Sequence, residues 1–254
     1  IIVFFSGDEE TGGDGARRAS TEWRDLIDAE YGLNADAGGG AFQKDGRLVG
    51  FGLQTSEKMY QDFTFTVRNP GGHSSRPRPD HAIYELAGAL KKLETHRFSP
   101  ALTETTRAYL QFRQKREQTG LGDAMRRWLA NKDDQDAADI IEADPSEVGL
   151  TRTRCVATRL EGGHANNALP QMARATVNCR ILPGVEAAEV LAELKGVAGN
   201  GVEIVPVDVA RPSPPSPLRA DVVGAFTRTI KKRHPTAEVV PQMSQGATDG
   251  LFFR

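Results

Sequence analysis

Ile1-Ile2-Val3-Phe4-Phe5-Ser6-Gly7-Asp8-Glu9-Glu10-Thr11-Gly12-Gly13 opens the chain, an apolar run that breaks into three adjacent acids and a glycine pair. An unbroken run of branched and aromatic residues reads as a strand covered on both faces, the usual state of strands in an α/β sheet. Ligand sites in such sheets lie beyond the carboxyl ends of the strands, which is where these acids fall. Three neighbouring carboxylates stay ionised only with full solvent access or with bound cations. If the backbone stays extended, Glu9 and Glu10 point to opposite sides, so one can ligate a metal while the other addresses a water held by it. A solvated, acidic strand-to-helix loop is the alternative reading, and the surroundings must decide.

A chain of 254 residues, 39% hydrophobic and 26% charged, suits one large or two ordinary soluble domains. The net charge of -2, with no long run of one sign, offers no footprint for nucleic acid or an anionic membrane. No segment approaches the ~20 apolar residues of a membrane span. Cys155 and Cys179 lie in apparent strands without Cys-x-x-Cys spacing and read as buried free thiols, with a single disulfide as the alternative. The chain lacks an initiator Met, starts inside an apolar run and stops at Leu251-Phe252-Phe253-Arg254, so a fragment of a longer protein is expected. Its compartment, cytoplasmic or periplasmic or secreted, is therefore not readable.

Beyond the acidic loop, Trp23, Leu26, Ile27 and Tyr31 recur at helical spacing before Gly32, which predicts a helix packed on the opening strand. Asp36 precedes Gly38-Gly39-Gly40, where its side chain stands free enough to face a metal or, alternatively, to make an Asx turn. Lys44-Asp45-Gly46-Arg47 reads as a hairpin turn. From about Lys58 the pattern changes to alternation, with Phe63, Phe65 and Val67 set against Thr64, Thr66 and Arg68. A loop over Asn69 to Ser75, a helix carrying Ile83, Leu86, Ala87, Leu90 and Leu93, and a polar helical stretch over 103–144 follow. Strands are expected from Cys155, over Ala175 to Ile181 and over 202–209, with a helix over 186–197. Without the helical stretch the order from Lys58 is β-α-β-β-α-β, the ferredoxin-like arrangement. The proline cluster Pro212, Pro214, Pro215 and Pro217 marks a linker, after which α/β character returns. The fold class is thus α/β, a partial catalytic domain over 1–56 and 211–254 interrupted over 57–210 by a ferredoxin-like lid or dimerisation domain that carries the helical insertion.

Four motifs in one order, Ser6-Gly7-Asp8-Glu9-Glu10, Gly71-Gly72-His73-Ser74, Asn167-Ala168-Leu169-Pro170 with Arg180 thirteen residues on, and Gly246-Ala247-Thr248-Asp249-Gly250, span nearly the whole chain. Together they resemble the di-zinc aminoacylase and carboxypeptidase family that includes glutamate carboxypeptidase and succinyl-diaminopimelate desuccinylase. The resemblance implies a zinc-binding α/β domain with a ferredoxin-like lid, Glu9 as general base, and Glu10 as a zinc ligand. It implies Asp36 as a second-metal carboxylate, although the local pattern differs from the family's usual acid-glycine form. It implies His73 as the lid histidine that, in dimeric members, reaches the partner's active site to stabilise the oxyanion. Asn167 and Arg180 are implied to bind substrate, Arg180 by pairing a carboxylate, and Gly246 and Thr248 to lie in a substrate-facing loop. Leu251 stands where many members carry Arg. The implied cofactor is two zinc ions, with cobalt or manganese as substitutes, and the implied partners are a small peptide or N-acyl amino acid and a second copy of the chain. The family's His-x-Asp pair and bridging aspartate are expected before Ile1 and its last zinc histidine after Arg254, so these 254 residues alone are expected to be inactive.

The resemblance points to hydrolysis of an amide next to a free carboxylate, since a metal lowers the pKa of bound water toward ~7 and a neighbouring carboxylate can take its proton. A non-catalytic relative serving dimerisation or ligand binding is the rival from another class. A magnesium-dependent phosphoryl-transfer enzyme is weaker, because no glycine-rich Lys-Ser/Thr phosphate loop accompanies the acids.

Overall fold

The computed structural model describes residues 1–36, 39–42, 44–46 and 48–254. Two of the expected features fall partly outside the described residues, namely Gly38 of the glycine run and Arg47 of the hairpin turn. In chain order the first elements are α1 (Asp14–Thr21), α2 (Arg24–Ile27), β1 (Gly39–Phe42), β2 (Leu48–Glu57), β3 (Met59–Arg68), β4 (Gly72–His73) and α3 (Ala82–Thr95). Then come α4 (Glu104–Arg113), α5 (Gly120–Ala130), α6 (Gln135–Ala143), β5 (Arg154–Gly162), β6 (Ala168–Leu169) and β7 (Met172–Ile181). The last are α7 (Ala187–Ala198), β8 (Glu203–Pro206), α8 (Ala220–Arg233) and β9 (Val239–Ser244). Contacts divide them into two compact units, one of Ile1–Lys58, Pro100–Thr151 and Pro212–Arg254, the other of Met59–Ser99 and Arg152–Arg211.

The second unit is the ferredoxin-like one. Its sheet runs in the order β5-β7-β3-β8 with every pair antiparallel, the strand order that β-α-β-β-α-β connectivity produces. β3 and β7 pair along their whole length, from Met59 opposite Ile181 to Arg68 opposite Met172. Alternation does the sorting: Ala173, Ala175, Val177, Cys179 and Ile181 are buried, while Arg174, Thr176, Asn178 and Arg180 occupy the other, half-exposed face. The buried face packs with Leu86, Ala89 and Leu93 of α3 and Val190 and Leu194 of α7 in one apolar cluster. Each such large side chain taken fully out of water contributes about 1.5–3 kcal/mol. The helix face predicted for α3 needs adjusting, because Ile83 and Ala87 are exposed while Ala82 and Ala89 join the predicted Leu86 and Leu93 as its buried positions.

Cys155 of β5 and Cys179 of β7 are directly opposed and form a disulfide with Cα atoms 4.1 Å apart, so the free-thiol reading gives way to its alternative. The pairing register, which composition does not reveal, puts the two sulfurs side by side.

The first unit holds a sheet of order β1-β2-β9, with β1 antiparallel to β2 and β2 parallel to β9. α4, α5 and α6 belong to this unit by contact, whereas the sequence reading counted that stretch within 57–210. α4 packs on β9, and Trp128, Met125, Ala137, Ala138 and Ile141 form a buried knot between α5 and α6. Thr103 and Thr106 make a capping box that starts α4, and the Asp134 carboxylate caps α6 while pairing with Arg127.

Two expectations for the start of the chain are corrected. Ile1 to Phe5 do not form a strand and are exposed. An apolar run becomes a buried strand only where neighbouring strands offer their backbone, and the described sheet of this unit consists of β1, β2 and β9. The helix expected around Trp23 to Tyr31 is instead α1 followed by the single turn α2, with Trp23, Leu26 and Tyr31 exposed.

Candidate functional site

The acidic loop is shaped by its own polar groups. Glu9 to Thr11 form one turn of 3-10 helix, which replaces the extended geometry expected for Glu9 and Glu10. The Asp8 carboxylate accepts the Gly15 N–H at 3.0 Å, and Gly13 turns the chain into α1 at φ 66°. Glycine is required there: a Cβ would sit 2.7 Å from Asp249 Oδ1 and 2.9 Å from the Phe252 ring. Asp249 is itself buried and accepts the Ser6 hydroxyl at 2.5 Å, so the two motifs at opposite ends of the chain meet.

Glu9 is half-buried and Glu10 and Asp36 are exposed. Burial pushes the Glu9 carboxyl above its ordinary range, and the charges of Glu10, Asp36, Asp249 and Glu57 push it the same way. The structure thus gathers three of the residues singled out from sequence around one carboxylate environment. The Asx turn beside Asp36 is made by Asn34, whose side-chain oxygen accepts the Asp36 N–H at 3.2 Å.

Sequence reasoning missed Glu57. It ends β2, is wholly buried, and accepts from Ser213 Oγ at 2.8 Å, Thr248 Oγ1 at 2.8 Å and Gln54 Nε2 at 3.1 Å. Arg254 pairs with it at 2.6 Å and also donates to Ser213 Oγ and Ser216 Oγ. The Thr248 hydroxyl, expected to face substrate, is thereby committed to a buried carboxylate, while Gly246 stays half-exposed. An acid at the last position of a strand gives no periodic signal, and only a lone charge inside an otherwise uncharged β2 hinted at it.

Among the described residues no three His, Cys, Asp or Glu side chains are arranged to hold a metal ion. Glu57 and Asp249 are engaged by protein donors, which leaves Glu10 and Asp36 as candidate ligands. These residues do not by themselves make a complete metal centre.

In the second unit, β4 pairs with β6, His73 opposite Ala168, and Ser74 N–H donates to Asn167 O at 2.9 Å. The short ribbon therefore sets His73 beside Asn167. Gly71 permits it at φ 70°, where a Cβ would lie 2.8 Å from Leu169 O. His73 Nδ1 accepts the Ser75 N–H at 3.2 Å and lies 2.8 Å from Ser75 Oγ, which orients the ring. Arg180 sits elsewhere. Its guanidinium lies over the Tyr60 ring at 4.6 Å and donates to Asn178 Oδ1 at 3.2 Å, while Asp62 accepts from both Tyr60 and Asn178. Arg180 pairs with Tyr60 at one end of the β3–β7 ladder, whereas the ribbon adjoins Arg68 and Met172 at the other. At ~3.4 Å per residue the two ends are about 27 Å apart. Of the other histidines, His164 is exposed, His81 stacks on Tyr84, His96 bonds Glu193, and His234 meets Phe42 edge-on.

Residues 55–203 match the profile of the M20 peptidase dimerisation domain. The chain is 29% identical over 199 residues to the probable carboxypeptidase S-like 2 of Dictyostelium discoideum, covering 76% of this chain and 37% of that protein. It is 28% identical over 265 residues to the human N-fatty-acyl-amino acid synthase/hydrolase PM20D1, covering 100% of this chain and 51% of that protein. The chain thus spans about half or less of the curated relatives it matches. Among solved structures it is similar in fold to the aminopeptidase PepT of Bacillus cereus, at 15% identity and TM-score 0.53 over 96% of this chain and 51% of that one. The M20 family metallo-carboxypeptidase Sso-CP2 of Sulfolobus solfataricus gives 19% identity and TM-score 0.53 over 95% of this chain and 64% of that one.

Proposed function

The chain belongs to the M20 peptidase dimerisation-domain family, and from that premise we propose that the whole protein is a metal-dependent hydrolase cleaving an amide bond beside a free carboxylate, in dipeptides or N-acyl amino acids. The observation that carries the reading is Glu9, a half-buried carboxylate whose proton affinity is raised by burial and by surrounding acids. A carboxylate set among other acids, beside a metal-held water, suits taking a proton from that water as it attacks. Glu10 and Asp36 would contribute to holding the metal, zinc foremost with cobalt or manganese as substitutes, which would activate that water. Glu9 would then carry the proton toward the leaving amine. Arg180, pre-oriented by Tyr60 and Asn178, would pair with the substrate carboxylate. His73 and Asn167 would address the carbonyl undergoing attack.

A separation of about 27 Å along β7 is too long for one dipeptide-sized substrate to touch Arg180 and His73 of the same subunit. The arrangement supports a homodimer in which His73 and Asn167 of one subunit serve the substrate of the other. The β5 edge supports the same conclusion: among the described residues β5 pairs with β7 on one side only, and Val156 and Leu160 are exposed along it. A second β5 would extend the sheet antiparallel across a two-fold axis.

The test uses the whole protein on a panel of dipeptides and N-acyl amino acids, with chelator and with zinc, cobalt or manganese restored. Metal-restored hydrolysis, lost in Glu9→Gln, is expected. Mixed H73A and R180A subunits should regain activity that neither variant has alone, because the mixed dimer keeps one intact pairing. No hydrolysis of any amide, or full activity in Glu9→Gln, would overturn the reading and favour a non-catalytic dimerisation module.

A further inference from the structure

We infer that Glu57 is a positioning residue of the acidic-loop site, acting through Thr248 and Asp249; this rests on the hydrolase reading above. Glu57 joins three stretches of chain that are remote in sequence: the end of β2, the segment Ser213–Ser216, and the turn Asp249–Phe253. A buried ion pair such as Glu57–Arg254 is poor evidence for stability, because well-packed apolar side chains often do as well. What the pair and its hydroxyl donors provide here is a unique geometry, since every donor must find the carboxylate at once.

Thr248 transmits that geometry. Its hydroxyl donates to Glu57 Oε2 at 2.8 Å and accepts the Gly250 N–H at 3.1 Å, so the same group ties the carboxylate to the turn backbone. These two hydrogen bonds fix the start of the turn whose first residue is Asp249. The Asp249 carboxylate in turn accepts Ser6 Oγ and lies against Gly13, holding the acidic loop at both of its ends. Glu9 lies between those two anchors. The relay runs from Glu57 through Thr248 and Asp249 to Ser6 and Gly13, and a shift of about 1 Å in a reacting group can cost on the order of 100-fold in rate.

The experiment compares the whole wild-type protein with T248V, T248S and E57Q. Its readouts are kcat and KM on the best amide substrate, the melting midpoint, and amide hydrogen exchange of the segment Ser6–Gly13. T248V and E57Q should lower kcat about tenfold or more with KM within about threefold, and should speed exchange in Ser6–Gly13 while α5 and α6 stay protected. T248S, which keeps the hydroxyl, should restore both. Unchanged exchange in Ser6–Gly13, or a loss of kcat that only follows the unfolded fraction, overturns the inference. If the wild type hydrolyses no amide, the hydrolase reading falls, and the exchange of Ser6–Gly13 alone decides whether Glu57 holds the loop.

Discussion

Opening the Cys155–Cys179 disulfide should lower the melting point of the ferredoxin-like unit by about 17 °C. The bridge joins residues 24 apart in sequence. Closing a loop of that length removes about 3.5 kcal/mol of chain entropy from the unfolded state. The unit of Met59–Ser99 and Arg152–Arg211 holds about a hundred residues, and at ~2.1 cal/mol/K per residue its unfolding entropy is about 0.2 kcal/mol/K. Dividing the two gives the shift. The native strands pair in register at this point, and Cys179 is fully buried, so the reduced form gains no compensating contact. Calorimetry of oxidised protein, of protein reduced with a phosphine, and of C155A/C179A should give one high and two matching lower midpoints. Thiol titration of the denatured, unreduced protein should find no free cysteine. A shift below about 4 °C, or two titratable thiols before reduction, would refute the reasoning.

Gly13→Ala should destabilise the first unit by about 1–2 kcal/mol or more, because the new Cβ meets Asp249 and the backbone must keep a left-handed φ; chemical denaturation measures it. Burial raises the Glu147 carboxyl above its ordinary range despite Tyr109 and Arg113, so its ionisation opposes folding increasingly as pH rises through the carboxyl range. Glu147→Gln should therefore compare more favourably with wild type at pH 7 than at pH 4, and an equal difference in melting point at both would sink the argument. Charging the β5 edge with V156K/L160K should shift the proposed dimer of the whole protein to monomer in light scattering without unfolding it, since both side chains are exposed.

How much of this was legible beforehand follows from the range of the interactions involved. Period-two alternation in β3 and β7 is written in neighbouring residues, so Phe63, Phe65, Val177 and Ile181 could be assigned to the core, and the β-α-β-β-α-β order read, without a structure. The motifs around Glu9, His73, Asn167 and Arg180 were equally visible, because each occupies a few consecutive positions. The tertiary structure alone decided the rest. It paired Cys155 with Cys179 through strand register, joined α4–α6 to the chain ends rather than to the ferredoxin-like unit, and left Ile1 to Phe5 exposed. It also drew Glu57, Ser213, Thr248 and Arg254 into one network and placed His73 and Arg180 at opposite ends of a ladder. Local periodicity records which face a residue must bury, but a partner brought from more than a hundred residues away is chosen only when the chain has folded.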